Sequence, residues 1–149
     1  MLLPTLYPSP PNCCSMKPRK SSPADKLTDP GLFVLRAGVG LSMLLCHGLP
    51  YFRNFQESAA GFYNFFGMGK ELTLALTIAA EAGGSVMLIL GYKARLAALI
   101  LAATMSVAFF YVHGADFSGE QSGELSFIYL LCFTALSLTG PGRLSMDGD

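Results

Sequence analysis

LAALILAATMSVAFFYV, residues Leu96 to Val112, carries no ionisable side chain other than the phenol of Tyr111. A helix crossing a hydrocarbon core about 30 Å thick needs about 20 mostly apolar residues. The flanks of this run bring it to that length. The pattern recurs on both sides of it. Leu72 to Tyr92 carries one charged residue, Glu81, and Leu32 to Leu49 carries Arg36 and His47. Leu125 to Leu138 is free of charge and extends through Thr139 to Gly142. A helix of a soluble bundle keeps a charged face toward water, and these segments have none. Composition agrees, with 52% hydrophobic against 13% charged residues and a mean hydropathy of +0.46. The reading is an all-α fold of four transmembrane helices running up-down-up-down.

Lysine and arginine concentrate on the cytoplasmic side of membrane proteins. Lys17, Arg19, Lys20 and Lys26 precede the first apolar run, Lys93 and Arg95 sit in the second connection, and Arg143 follows the fourth run. Only Arg53 and Lys70 lie on the other side, together with the acidic Asp116, Glu120 and Glu124. Both termini are therefore expected in the cytoplasm and the chain in the cell (inner) membrane. Residues 1–29 are expected to form a disordered, proline-rich and basic tail, because six prolines between Pro4 and Pro23 forbid regular structure. The tail does not read as a signal peptide. Met16 opens Met16-Lys17-Pro18-Arg19-Lys20 and reads as the start of the tail, with residues 1–15 either preceding the true start or extending it. Asp29-Pro30 reads as the cap of the first helix, so the membrane domain is set at residues 30–147.

Residues 51–70 mix Tyr51, Phe52, Phe55, Phe62, Tyr63, Phe65 and Phe66 with Arg53, Asn54, Gln56 and Glu57. Such mixtures suit the headgroup region, so an interfacial anchor is the preferred reading over an aromatic-lined binding site. Ala79 and Gly83, then Ala94, Ala98 and Ala102, predict close packing of the second and third helices.

Ionisable groups inside membrane spans are costly and point to function. A rise of about 1.5 Å per residue places Arg36 roughly 10 Å from the cytoplasmic end of its helix and Glu81 a further 3–4 Å in. An Arg36–Glu81 ion pair is the expectation, locking helix register or passing protons. Helical spacing puts Arg36, Gly40, Met43 and His47 on one face, and Thr77, Glu81, Gly84 and Ser85 on another. At the outer side His47, His113 and Glu124 fall at one depth. Imidazole and carboxylate exchange protons near neutral pH, so these three form the candidate site for a quinone or reducible substrate. A metal ranks second and an axially ligated haem third.

Zero net charge offers no footprint for nucleic acid. Cys13, Cys14, Cys46 and Cys132 form no C-x-x-C, so neither haem attachment nor an iron–sulfur motif is present. No zinc ligand set, phosphate-binding glycine loop or nucleophile elbow occurs. Any electrons must come from a carrier outside this chain.

Arg36 with Gly38 and Gly40, then His47-Gly48, resemble the first helix of the DoxX family of small four-helix membrane proteins. Glu81-Ala82-Gly83-Gly84, Leu90-Gly91 and Arg95-Leu96-Ala97-Ala98 are similar to its second and third helices. His113, Glu124 and the closing Leu138-Thr139-Gly140-Pro141-Gly142-Arg143-Leu144-Ser145-Met146-Asp147 complete an ordered match from Pro30 to Asp147. One departure is Pro50-Tyr51-Phe52, where relatives often carry a lysine. The resemblance implies a membrane subunit of a redox system joining sulfur-compound or oxidative-stress chemistry to the quinone pool. Relatives include subunits of thiosulfate:quinone oxidoreductase and of a complex with superoxide dismutase and a sulfurtransferase. The implied partners are membrane lipid, quinone, and soluble redox or sulfurtransferase proteins. As an enzyme it would be an oxidoreductase subunit; a non-catalytic scaffold and a small transporter with Glu81 in its path are the alternatives.

Overall fold

A computed structural model describes residues 23–118 and 122–147. Met16, Cys13, Cys14 and the basic cluster Lys17 to Lys20 lie outside the described residues. Every regular element among those described is helical. The first span, Leu27–Arg53, comprises α1 (Pro23–Met43), a π-turn (Leu44–Gly48) and α2 (Leu49–Arg53). A short α3 (Phe55–Gly61) and a 3₁₀ turn (Phe65–Gly67) follow. The second span, Lys70–Leu90, joins α4 (Lys70–Ile78), a π-turn (Ala79–Gly83) and α5 (Gly84–Leu90). The third, Ala94–Val112, is α6 (Ala94–Val107) ending in a π-turn (Ala108–Val112). These three are long and apolar enough to cross a membrane. The fourth helix, α7 (Glu124–Thr139), is apolar but has 16 residues, about 24 Å of rise. It stops where Gly140 turns to φ 85°.

The helices form a ring. α1 packs on α5, α5 on α6, α6 on α7, and α7 closes on α1. Met43, Leu88, Ala97, Ala98, Leu101 and Phe133, each at most 1% exposed, fill its centre. Ala94, Ala98 and Ala102 are buried as their spacing predicts, and these small side chains let neighbouring backbones approach. Ala79 and Gly83 instead face outward, and Gly84 meets the Leu101 side chain. The π-turn at Ala79–Gly83 is the reason. Its extra residue rotates the helix face relative to the α-helical register on which the spacing argument relied.

The first helix also begins earlier than expected. Pro30 lies inside α1, and Asp29 does not cap it. The Asp29 carboxylate accepts a hydrogen bond from the Arg143 backbone N–H at 3.3 Å instead. A second, smaller core holds α3 against α4: Ala59, Leu74 and Ile78, with Tyr51, Phe55 and Phe62 around them.

Candidate functional site

The two ends of the bundle divide the ionisable residues between them. At the end bearing the turn between α5 and α6, Arg36 is 1% exposed. Its Nη1 donates to the Pro141 carbonyl at 2.9 Å and its Nη2 to the Leu144 carbonyl at 2.7 Å. The guanidinium also lies 5.6 Å from the Phe33 ring centroid. Gly91 makes room for it, since a Cβ there would stand 2.7 Å from Nη1. Gly91 also adopts φ 74°, a conformation open to glycine and strained for other residues. Asp147 completes the closure. Its N–H donates to the Gly91 carbonyl at 3.3 Å, and its Oδ2 accepts from the Ala94 N–H at 3.1 Å, at the first turn of α6.

Two nitrogens of Arg36 thus fasten residues 141–144 across the bundle end while its Nε is buried without a hydrogen-bond partner, and among the described residues no ion pair joins it to Glu81. The expected pair is replaced because backbone carbonyls reach the guanidinium first. Glu81 sits ten residues before Gly91, about 15 Å along its helix, and its Oε2 is buried without a hydrogen-bond partner.

Toward the opposite end lies a cavity of about 420 Å³. His47 of the first span, Glu81 of the second and His113, just past the end of the third, line it. The inward face expected of the first helix is present, with Arg36, Gly40 and Met43 buried and His47 next along it. The His47 ring meets Tyr129 of α7 edge-on, with centroids 5.8 Å apart, and Tyr129 is fixed by a 2.6 Å hydrogen bond with Ser42. His47 Nδ1 is buried and, like Glu81 Oε2, has no partner. Each of the three π-turns contributes a wall: His47 from the first, Ala80 and Glu81 from the second, Ala108 and Val112 from the third. A π-turn carries one residue more than the α-helix it interrupts and recurs at functional sites.

Glu124 is not part of this group. It is exposed in the first turn of α7, where the helix N-terminus favours a carboxylate. Gly123 beside it is pressed against the third span, where a Cβ would stand 2.8 Å from the Phe109 ring. With that contact made, α7 presents Ser126 to the cavity. The preceding loop is tied by the Gly123 N–H to the Asp116 carbonyl at 2.7 Å. Hydrogen bonds from the Ser118 hydroxyl and backbone N–H hold the Asp116 carboxyl below its usual range.

The aromatic connection also lines the cavity, through Tyr51, Phe62, Tyr63 and Phe65. Phe65 rests edge-on against Tyr111 at 5.8 Å, linking the connection to the end of the third span. Thr77, on the polar face expected of the second helix, lines the cavity, and so does Thr73, which the sequence reading does not single out. Their hydroxyls donate to the Gly69 and Thr73 carbonyls one turn earlier, leaving each oxygen able to accept. The four-residue spacing Thr73, Thr77, Glu81 was the available signal.

The family model described as DoxX matches residues 31–114. An uncharacterized protein of Haemophilus influenzae is 33% identical over 110 residues, covering 70% of this chain and 80% of that protein. No solved structure matches the chain.

Proposed function

The chain belongs to the DoxX family, and from that premise we propose that its cavity receives the head of a quinone. The protein would then be the inner-membrane subunit of a redox system fed by sulfur-compound or oxidative-stress chemistry. The supporting observation is the chemistry of the cavity walls. His47 Nδ1 and Glu81 Oε2 are buried, unpartnered and set among aromatic and aliphatic groups. An unpartnered buried polar atom is costly. A quinone offers these walls a planar apolar ring and two carbonyl oxygens that accept hydrogen bonds, so rotation of the His47 ring and of a protonated Glu81 carboxyl toward the cavity would give each a partner. Reduction of a quinone takes up two electrons and two protons. Imidazole and carboxylate supply proton exchange at the cavity wall, while the electrons come from a partner protein, because the chain carries no redox-centre motif.

The test is quinone binding to protein in lipid nanodiscs, with co-purified soluble proteins identified in parallel. Glu81→Leu and His47→Ala should each weaken binding by about tenfold, the equivalent of about 1.4 kcal/mol for one lost hydrogen bond. Absence of binding by the unaltered protein would discard the quinone reading. A second reading, a small proton-coupled transporter, draws on Glu81, 4% exposed in the middle of a span. Glu81-dependent proton uptake into proteoliposomes without quinone would favour it.

A further inference from the structure

Exposed residues line the cavity at two separate depths. Tyr63, Met68 and Val112, 45–53% exposed, stand at its outer end. Leu76 is also half exposed and Ala103 is exposed, yet neither is near that end. Leu76 lies about 9 Å below the start of the second span and Ala103 about 13 Å below the end of the third. Both spans are long and apolar enough to cross a membrane. At that depth these residues are bathed in hydrocarbon rather than water.

The packing accounts for the deeper exposed pair. The second and third spans meet where α5 and the second π-turn pack on α6. Farther out, α4 packs on α3, and the Phe65–Tyr111 contact roofs the gap between the two spans. A slot remains, with Leu76 and Ala80 on one side and Ala103, Thr104 and Val107 on the other. Its surface suits an apolar chain. The one hydroxyl in it, of Thr104, donates to the Leu101 carbonyl at 2.9 Å and leaves no unmet donor in the slot.

We infer that this slot between α4 and α6 is the lateral doorway of the cavity and the groove that holds the ligand's tail. The inference rests on the quinone-head reading and specifies the ligand further, as a bilayer-dissolved quinone with a long hydrocarbon tail. A cavity of about 420 Å³ accommodates a substituted ring, but a polyisoprenoid tail must leave it. Leaving by the outer opening would put methylenes among headgroups and water, which is unfavourable for every one of them. Leaving through the slot keeps the tail in hydrocarbon.

The experiment compares a long-tailed quinone with tail-less duroquinone in nanodiscs. In Ala103→Phe the slot is obstructed while His47 and Glu81 are untouched. Affinity for the long-tailed quinone should fall about tenfold, and affinity for duroquinone by less than about threefold. Leu99→Phe, one turn away on the same helix and 55% exposed, should alter neither. If Ala103→Phe does not fold, Ala103→Cys in a background with the four native cysteines changed to serine can be alkylated with a bulky maleimide after folding. The same split between ligands is then expected. Unchanged long-tailed binding, or equal losses for both ligands, overturns the doorway while the quinone site stands. Failure of the unaltered protein to bind either quinone overturns both.

Discussion

Replacing Arg36 with methionine removes two charge-assisted hydrogen bonds and leaves the Pro141 and Leu144 carbonyls short of a donor. The expected loss is about 3 kcal/mol of unfolding free energy in detergent. Gly91→Ala acts on the same locus through a positive φ and the encroached guanidinium, and should cost about 2 kcal/mol. Because Arg36 and Glu81 share no partner, Arg36→Met and Glu81→Gln should be additive within about 0.5 kcal/mol. A coupling above about 1 kcal/mol would restore the ion pair. Burial of both residues followed from depth and from the cost of charge in lipid, and both are buried. The partner of Arg36 did not follow, because backbone carbonyls have no sequence signature and every residue carries one. Glu124 shows the complementary limit: depth placed it level with the histidines, but only the packing of Gly123 decides which way the following residue turns.

At the scale of the element, the three π-turns decide which side chains meet in the cavity. The apolar run of each span was legible from composition, since hydropathy does not depend on helix register. The inserted residue was not legible, because a π-turn has the same composition as the α-helix around it. Deleting Ala79, an exposed residue of the second π-turn, should convert it to α-helix and turn α4 by roughly 100° relative to α5. Thr73 and Thr77 would then leave the cavity wall. Circular dichroism should remain helical while quinone binding is lost; retained binding would show that the π-turn does not set the site. The aromatic connection teaches a related lesson. Its composition allowed both an interfacial anchor and a ligand-lining segment, and only the packing of α3 on α4 brings Tyr51, Phe62 and Phe65 to the cavity.

At the scale of the whole molecule, the basic residues flanking the spans predict that Arg143 and the Gly91–Lys93 turn face the cytoplasm. A reporter active only in the cytoplasm should work when fused at Arg143 and fail when inserted near Gln56. Equal activity at both would discard that orientation. In that orientation the fastened end of the ring would be cytoplasmic and the cavity would lie in its outer half, with the fastening built from residues far apart in the chain. Arg36 and its acceptors Pro141 and Leu144 are separated by more than a hundred positions. During biosynthesis the first span therefore enters the bilayer with its cation unsatisfied, and stays so until all the apolar helices have been made. A nascent chain that stops short of Pro141 keeps an unmet guanidinium in hydrocarbon, a defect that membrane proteases can recognise. Chains truncated before Pro141 are therefore expected to be cleared within minutes in a pulse–chase while the full chain persists.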